Sequence, residues 1–351
     1  MSPSTKRIDV AIFGAAVYGG QELLRFLPAH PHFRAVAATS QRLEGKSVEE
    51  VLPQLEGFYD GLRFTRPEAP LPEGCASAFL ATPHGVSQQL FATIHERYPE
   101  IDVVDLSGDH RLKDRDLFYS VYGAEHRFPD KASEFAYGLP ETNRAEVRKT
   151  SFVANPGCFA TGAILALAPL AEHGLLEGDV TLAQTTGSSG SGAEPKAATH
   201  HPERAQDMRA YKVMAHQHQP EIAQELRRLG LAGMGALEFD LAMVPQSGPF
   251  SRGIFTVAHA RLPADVDALE LYARRYGPEP FVRLRRDTPA LRHVARTNFC
   301  DLSVHQNGRR VVVLSAIDNL GKGMAGQAIQ NMNVLFGLDE TTGLLAPGAN
   351  P

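Results

Sequence analysis

Residues 8–27 read IDVAIFGAAVYGGQELLRFL, an apolar run followed by a glycine-rich turn and a helix-like segment. The pattern predicts a strand over residues 8–13 and a helix over residues 21–27, which Pro28 ends. A glycine-rich turn that joins a first strand to a first helix is where a dinucleotide pyrophosphate binds. The turn therefore predicts a cofactor site formed by Gly14, Ala15, Ala16, Tyr18, Gly19 and Gly20.

Strand-like and helix-like runs continue to alternate until about residue 110. Strands are predicted over residues 33–39, 76–81 and 102–106, and a helix over residues 86–97. Alternation of this kind is typical of parallel sheets with right-handed crossovers. We therefore predict an α/β fold whose first part is a Rossmann-type, doubly wound parallel sheet.

The pattern changes from residue 181 onwards. A glycine- and serine-rich loop is followed by alternating segments at residues 253–258 and 310–315, and a last helix is predicted over residues 325–336. These features predict an α+β domain with a mostly antiparallel sheet. At 351 residues the chain also exceeds the usual size of a single core, so we expect two domains.

Composition excludes several classes of protein. The net charge of −5 argues against a nucleic-acid partner, and no apolar stretch reaches the roughly 18 residues that a membrane span needs. Three widely spaced cysteines indicate a reducing cytoplasm and no disulfide framework. No Cys or Cys/His spacing typical of zinc is present, so we predict no metal site.

Residues 155–161, NPGCFAT, place a cysteine between a turn and a helix-like run. The Asn-Pro-Gly triplet ends a predicted strand over residues 151–154, because proline lacks a donor and glycine permits a positive φ. Residues 160–170 predict a helix, so Cys158 should lie at or just before its first turn. Unpaired N–H groups and the helix dipole favour a thiolate there. We therefore predict that Cys158 is a nucleophile for acyl transfer, rather than a small buried apolar residue.

Residues that follow the second and third predicted strands indicate which dinucleotide binds. An NAD site would have an acidic residue after the second strand, whereas this chain has Ser40 and Arg42, which suit the 2′-phosphate of NADP. Pro83 and His84 follow the next strand, where a nicotinamide ribose would reach. His84 is explained equally well as a turn residue. NADP is the predicted cofactor.

Further polar groups are candidates for substrate binding and proton transfer. Residues 187–193, GSSGSGA, would form a nest of main-chain N–H groups for an anion, with a flexible linker as the alternative. Arg111 and Arg252 are possible clamps for phosphate or carboxylate, as are Lys196 and Arg204. His216 and His218 are candidate acid/base residues, since imidazole titrates near neutral pH. The pattern alone does not choose between the two histidines, and a polar loop anchored near Glu221 is the alternative for both.

Taken in order, these residues resemble the N-acetyl-γ-glutamyl-phosphate reductases, a branch of the acyl-phosphate and semialdehyde dehydrogenases. The resemblance extends from Gly14 to Gly326. Besides the segments above, its motifs are DLS at residues 105–107, YGLPE at residues 137–141, RGI at residues 252–254 and DNL at residues 318–320.

This resemblance implies an NADPH-dependent reduction of an acyl phosphate to a semialdehyde in arginine biosynthesis, through a thioester on Cys158. It favours His216 over His218 as the acid/base. The cofactor would also contact Ser189, Gly190 and Asn319, and the substrate would contact Arg111, Ser191, Gly192 and Arg252. The implied division is an NADP-binding domain over residues 1–157, a catalytic and oligomerisation domain over residues 158–322, and a C-terminal helix over residues 323–351 that returns to the first domain.

The first loop departs from the family pattern. Relatives usually read Gly-Ala-Ser-Gly-Tyr, whereas this chain has Ala16 and Val17. The serine donor is lost, and valine disfavours a positive φ that glycine would allow. We expect the loop to bind the pyrophosphate less closely or through other amides.

Two other functions fit the sequence. A related reductase would act on a 2-aminoadipyl or glutamyl phosphate, for lysine or arginine biosynthesis, whose amino group is held by a small acidic carrier protein. Residues 199–204, with Arg209 and Lys212, resemble that subgroup. A more distant alternative is an NADP-binding redox sensor with the cysteine as its switch. For the reductase we expect a small-molecule acyl phosphate as substrate, no membrane partner, and a homodimer or homotetramer in the cytoplasm.

Overall fold

The protein is described by a computed structural model that covers residues 7–348. These residues form two compact units. The first unit contains the chain up to Pro156 together with Met324–Ala346, and the second contains Gly157–Gly323 and the end of the described chain from Pro347. The last three residues of the predicted C-terminal part lie outside the described residues.

The first unit is built on a seven-stranded sheet with the order β3-β2-β1-β4-β5-β7-β6. All of its strand pairings are parallel, which confirms the predicted doubly wound sheet. Its strands are β1 (Ile8–Phe13), β2 (Phe33–Thr39), β3 (Phe64–Thr65), β4 (Cys75–Leu80), β5 (Asp102–Asp105), β6 (Ala136–Tyr137) and β7 (Phe152–Ala154). Its helices up to residue 156 are α1 (Tyr18–Phe26), α2 (Val48–Val51), α3 (Ser87–Arg97), α4 (Arg115–Tyr122), α5 (Pro129–Glu134) and α6 (Pro140–Val147).

The strand order reverses between β1 and β4. In sheets of this class, ligands bind beyond the carboxyl ends of the strands at the point of reversal. The two segments that leave those ends begin at Gly14 and Ala81. The topology therefore brings the predicted cofactor loop and the predicted Pro83–His84 turn to the same end of the sheet.

Helix α1 begins at Tyr18, three residues before the predicted start at Gln21. Two glycines in its first turn weakened the helical pattern. Gly20 is required by packing, because a Cβ there would lie 2.5 Å from the Cα of Ala15. Close approach of the helix to its own loop therefore accounts for the misplaced boundary.

The second unit contains a seven-stranded mixed sheet with the order β12-β13-β14-β11-β8-β10-β9. Four of its six pairings are antiparallel, as predicted, whereas β8 with β10 and β12 with β13 are parallel. Its strands are β8 (Gly178–Thr186), β9 (Arg209–Ala210), β10 (Phe239–Ser247), β11 (Ile254–Arg261), β12 (Val282–Leu284), β13 (Cys300–Asn307) and β14 (Arg310–Ile317). Its helices are α7 (Cys158–Glu172), α8 (His201–Arg204), α9 (His218–Gly233) and α10 (Ala268–Tyr276).

Helix α7 is the central buried helix of the second unit. Every residue from Phe159 to Ala171 is buried, so the helix is apolar on all sides. Pro169 removes the N–H that would bond to the carbonyl of Leu165, and the hydroxyl of Tyr276 donates to that carbonyl instead, at 2.5 Å. A helix that is fixed in this way holds its first residue, Cys158, in a defined position.

A π-helical turn over Gly321–Ala325 leads into the last helix, α11 (Gly326–Leu335), which belongs to the first unit. Buried amide side chains join α11 to that unit. Asn331 Nδ2 donates to the carbonyl of Gly138 at 2.7 Å and to Oδ1 of Asn155 at 3.0 Å. His30 Nε2 donates to Asn333 Oδ1 at 2.9 Å. The first unit is thus completed by chain that follows the whole second unit.

Candidate active site

Cys158 is the first residue of α7, after Gly157 in the N-cap position with an extended conformation (φ −66°, ψ 147°). Its side chain is half-buried. At a helix N-terminus, unpaired main-chain N–H groups and the helix dipole stabilise negative charge, and α7 is 15 residues long. The turn-to-helix pattern therefore located Cys158 correctly, in a setting that favours its thiolate.

Two residues of α9 fix the turn that precedes Cys158. The carboxylate of Glu221 accepts the main-chain N–H of Gly157 at 2.8 Å. The ring of His218 lies against Gly157 so closely that a Cβ there would lie 2.4 Å from Nε2. On the other side, a Cβ at Gly323 would lie 2.9 Å from the Cβ of Cys158. Glycine at these two positions is what allows the cysteine to be packed so tightly.

His216 and His218 lie together, with ring centroids 4.7 Å apart and planes at 74°. His218 begins α9 and His216 lies in the loop just before it. The main-chain N–H of His218 donates to Nδ1 of His216 at 3.1 Å. Because Nδ1 accepts, the neutral ring of His216 has its proton on Nε2. His216 can therefore donate a hydrogen bond to a substrate oxygen without being charged.

Burial, and to a smaller extent the charge of Lys212, lowers the pKa of His216 from 6.5 to about 4. The sequence argument that its imidazole titrates near neutral pH is wrong, since a buried imidazolium loses its hydration. A neutral imidazole that polarises a carbonyl oxygen through its N–H is a recognised catalytic role. His216 fits that role better than the role of an acid that releases a proton at neutral pH.

Sequence reasoning missed Tyr211, whose ring centroid lies 5.8 Å from that of His216. Burial is the main cause that raises the pKa of its phenol, and negative charge on Cys158 raises it further. Tyr211 therefore keeps its phenol protonated at neutral pH and lies within electrostatic reach of Cys158. A single tyrosine in a loop has no periodicity or motif that would have revealed it.

The loop after β8 does not present the predicted anion nest. The main-chain N–H groups of Gly187, Ser188 and Ser189 donate to carbonyls of residues 250–253, at 2.9–3.0 Å. Those of Gly190 and Gly192 donate within the loop. The prediction is wrong for these five amides, because three of them donate to carbonyls of residues 250–253 and two donate within the loop, which forms a short 3₁₀ helix. The cofactor contacts of Ser189 and Gly190 and the substrate contacts of Ser191 and Gly192 stay predictions.

Asn319 and Arg252 support this loop and the turn that follows β14. Asn319 Nδ2 donates to Ser189 Oγ at 3.0 Å, and its Oδ1 accepts the N–H of Gly253 at 2.7 Å. Arg252 makes a bidentate pair with the fully buried Asp318, at 3.0 and 2.9 Å. The predicted clamp at Arg252 is thus already neutralised by a carboxylate, and a second use on the substrate stays a prediction.

Arg111 is buried in the first unit, where its guanidinium has main-chain partners. Nε donates to the carbonyl of Asn155 at 2.7 Å and Nη2 to that of Leu106 at 2.8 Å. These contacts join the ends of β5 and β7. The turn that leads to Cys158 follows directly after β7. The geometry gives Arg111 a positioning role, and its predicted contact with substrate has no support from these bonds.

In the predicted cofactor loop, Gly14 has a φ of +76°, and a Cβ there would lie 2.4 Å from the carbonyl oxygen of Ala81. Its N–H donates to Thr39 Oγ1 at 3.2 Å. Val17 has a φ of −84°, so no glycine is required at that position. Val17 therefore does not adopt the positive φ that valine disfavours, and weaker or altered pyrophosphate binding by this loop stays a prediction. The N-terminus of α1 has no side-chain cap and no acidic residue in its first turn, which suits an anionic pyrophosphate.

Four further predicted cofactor residues, Ser40, Arg42, Pro83 and His84, follow the carboxyl ends of β2 and β4 in the first sheet. Arg42 is exposed and Ser40 half-buried in the turns after β2. His84 is exposed, and its Nδ1 accepts the N–H of Gly108 at 2.7 Å. His84 thus has a structural partner, in agreement with its alternative as a turn residue, and its contact with the cofactor stays a prediction.

Within residues 7–348, no group of three or more His, Cys, Asp or Glu side chains is arranged to hold a metal ion. None of the helices in that part of the chain is long and apolar enough to cross a membrane.

Comparison with known proteins supports the two-part architecture. Residues 9–150 match the family described as semialdehyde dehydrogenase, NAD binding domain, and residues 158–319 match semialdehyde dehydrogenase, dimerisation domain. An N-acetyl-gamma-glutamyl-phosphate reductase of Methanopyrus kandleri is 45% identical over 98% of this chain and 100% of its own length. The chain belongs to the N-acetyl-gamma-glutamyl-phosphate reductase family.

Another reductase of this name, from Pseudomonas fluorescens, is 41% identical over 98% of the chain and all of its own length. Among solved structures, aspartate semialdehyde dehydrogenase II of Vibrio cholerae superposes with a TM-score of 0.72 at 18% identity, over 95% of this chain and 99% of that one. These findings confirm the predicted resemblance to the N-acetyl-gamma-glutamyl-phosphate reductases and the predicted fold class.

The low pKa of His216 gives a test of its charge state during hydride transfer. Protonation occurs only as the pH falls through about 4, so more than nine-tenths of the rings stay neutral above about pH 5. We expect the single-turnover rate of hydride transfer, measured on enzyme that was first acylated and then mixed with NADPH, to be flat from about pH 5.5 to 8. An inflection near pH 6.5 that disappears in His216→Asn would contradict this assignment.

Proposed function

We propose that this protein is an NADPH-dependent reductase that converts N-acetyl-γ-glutamyl phosphate to N-acetylglutamate semialdehyde and inorganic phosphate, a step of arginine biosynthesis. The observation that supports it best is Cys158 at the N-terminus of α7, with Gly157 fixed by Glu221 and packed against His218. The names of relatives that are 40–45% identical over nearly the whole chain agree with this activity.

The proposed first step is acyl transfer to Cys158. Its thiolate attacks the acyl carbon, a C–S bond forms, and the C–O bond to phosphate breaks with the electron pair leaving on phosphate. Phosphate is a good leaving group, so this step needs electrostatic stabilisation of the carbonyl oxygen more than it needs an acid. The helix N-terminus of α7 and the Nε2–H of His216 are the groups of the second unit that supply such stabilisation.

NADPH, when bound, supplies a hydride to the thioester carbon. The oxygen then develops negative charge, which the neutral His216 stabilises by donating Nε2–H. Collapse of the tetrahedral species breaks the C–S bond, and the electron pair returns to the sulfur of Cys158. The product is the aldehyde, and the thiolate is regenerated without a net proton transfer from the two histidines.

The residues of the first unit fit NADP. The uncapped first turn of α1 and the close approach of Gly14 to Ala81 suit a pyrophosphate, and Ser40 with Arg42 suits a 2′-phosphate. Asn319, Ser189 and Gly190 are proposed to contact the nicotinamide side. We also propose that residues 1–157 and 158–322 are the cofactor and catalytic domains, with support from the two compact units and the two family matches.

Removal of Arg42 should weaken the preference for NADPH over NADH. A charge-assisted hydrogen bond contributes about 1.5–3 kcal/mol, so wild-type discrimination should be roughly tenfold to several hundredfold in kcat/KM and should fall toward unity in Arg42→Ala. The exposed Arg148, after α6, offers a control with the same loss of charge. Equal kcat/KM for both cofactors in the wild type, or unchanged discrimination in Arg42→Ala, would contradict the assignment.

The carrier-linked reductase has less support. The relatives compared above bear the N-acetyl name, and Arg204 in the basic segment is buried, so it is not part of an exposed surface for an acidic tail. Phosphate-dependent reduction of NADP by N-acetylglutamate semialdehyde tests the proposed function directly. Turnover of a carrier-linked substrate alone would favour the alternative, and no turnover of either would favour a redox sensor.

A homodimer or a homotetramer and a cytoplasmic location are proposals as well. The face of the second sheet opposite α7 presents half-buried apolar side chains on three strands, namely Val244, Phe255, Val257 and Leu314. A continuous apolar face of this kind is typical of an interface. Light scattering on the purified protein checks the number of subunits. The proposed cytoplasmic location rests on a different observation, the three free cysteines.

A further inference from the structure

Arg204 places a guanidinium inside the second unit, beside the carboxyl end of β8. It is the last residue of α8 and is only 9% exposed. Its Nη2 donates to the carbonyl of Thr186 at 3.3 Å, a long bond, and its buried Nε has no hydrogen-bond partner among the described residues. Among the described residues, no carboxylate lies within salt-bridge distance of the Arg204 guanidinium. A buried cation without a counter-charge is costly, so it indicates a site for an anion.

The other groups that could bind an anion here already have partners. Arg252 is paired with Asp318, and Lys196 Nζ donates to the carbonyl of Ser191 at 3.0 Å. The amides of the loop that begins at Gly187 donate to protein carbonyls. Among these candidates, only Arg204 is a buried cation with a buried N–H group, that of Nε, for which the described residues offer no partner.

Arg204 also lies within electrostatic reach of the reacting groups. Tyr211 is influenced by the charges of both Arg204 and Cys158, so the three side chains share one neighbourhood. The pKa of Arg204 is lowered by burial first and then by the positive charge of Arg209. Arg209 thereby adds positive charge beside Arg204, while the negative charge of Asp207 acts on the pKa of Arg204 in the opposite sense.

We infer that Arg204 binds an anionic oxygen group of the substrate, and so contributes to substrate specificity. Such a group is either the phosphoryl group that leaves or a carboxylate at the other end of the acyl chain. A planar guanidinium matches both through two parallel N–H···O bonds. The inference rests on the proposed function for the identity of the substrate, although the anion site itself does not depend on turnover.

The reverse reaction separates the two anionic groups, because inorganic phosphate and the semialdehyde enter as different substrates. We expect Arg204→Ala to raise the KM for one of them by about 10- to 100-fold, with Arg204→Lys intermediate. A rise for phosphate alone identifies the phosphoryl site, and a rise for N-acetylglutamate semialdehyde alone identifies the carboxylate site. Arg261→Ala removes an exposed arginine at the end of β11 and should leave both KM values unchanged.

Binding measured without turnover keeps this inference distinct from the proposed function. Calorimetry on the full chain would use inorganic phosphate and N-acetylglutamate as probes, and melting temperatures would show that each variant is folded. Weaker binding of one probe to Arg204→Lys or Arg204→Ala supports the anion site even if the wild type fails to reduce NADP. Unchanged binding of both probes and unchanged KM values in a folded Arg204→Ala would overturn the inference. A lower melting temperature with unchanged binding of both probes would overturn it as well.

Discussion

Replacement of Cys158 by serine should abolish turnover, with kcat reduced by about 10⁴-fold or more. A serine hydroxyl at neutral pH is a far weaker nucleophile than a thiolate at a helix N-terminus, and neither His216 nor Glu221 is arranged as a strong base for it. Oxidation of NADPH with the acyl phosphate measures the loss. NADPH binding, measured by fluorescence, should be retained, since the predicted cofactor loop belongs to the first unit.

Cys75 offers a matched control. Its thiol is half-buried in β4, and burial raises its pKa to about 11, so it stays protonated at neutral pH. Cys75→Ser should therefore keep nearly wild-type turnover. The nucleophile would have to be reassigned if Cys158→Ser kept a tenth of the wild-type kcat, or if a change at Cys75 or at the fully buried Cys300 were the one that removed activity.

His216→Asn should slow hydride transfer by about 10²–10⁴-fold and affect acylation less. The reason is that phosphate leaves without the help of an acid. After hydride addition, in contrast, the negative charge on the oxygen is stabilised by the Nε2–H group of His216. In a single-turnover experiment, phosphate release should show a burst and NADPH oxidation should be delayed. Parallel loss of both signals would place His216 in an earlier step.

His218→Asn should behave differently, because its ring packs against Gly157 and so supports the turn before the nucleophile. We expect the phosphate burst itself to slow in this variant, with hydride transfer from the acylated enzyme nearer to normal. A phosphate burst at the wild-type rate in His218→Asn would show that the ring is dispensable for the position of Cys158. Near-normal rates in both histidine variants would return the pair to a purely structural role.

Sequence reasoning succeeded where one short segment determines its own structure. Strand β1 and the position of Cys158 follow from local apolar runs, glycine and proline, and the structure reproduces both. The parallel sheet followed from alternation alone. The start of α1 was misplaced because Gly20 serves a close contact with Ala15, which lowers helical propensity but is required by packing.

Sequence reasoning failed where a distant partner determines the role of a side chain. Arg252 looks like a free clamp until Asp318, 66 residues later, is found beside it. The anion nest failed in part for the same reason, since the carbonyls that accept three of the loop amides come from residues 250–253. The pKa of His216 depends on burial, which no spacing of histidines reveals. Such pairings become visible only when the second unit is assembled.

Completion of the first unit by α11 has a consequence for synthesis of the protein on the ribosome. The buried bonds of Asn331 and Asn333 to Gly138, Asn155 and His30 join residues far apart in translation. The nascent first unit therefore stays incompletely packed until all of Gly157–Gly323 has been translated. During this interval its apolar surface is exposed to aggregation and to chaperones, whereas nearly all of the second unit is one continuous segment, Gly157–Gly323.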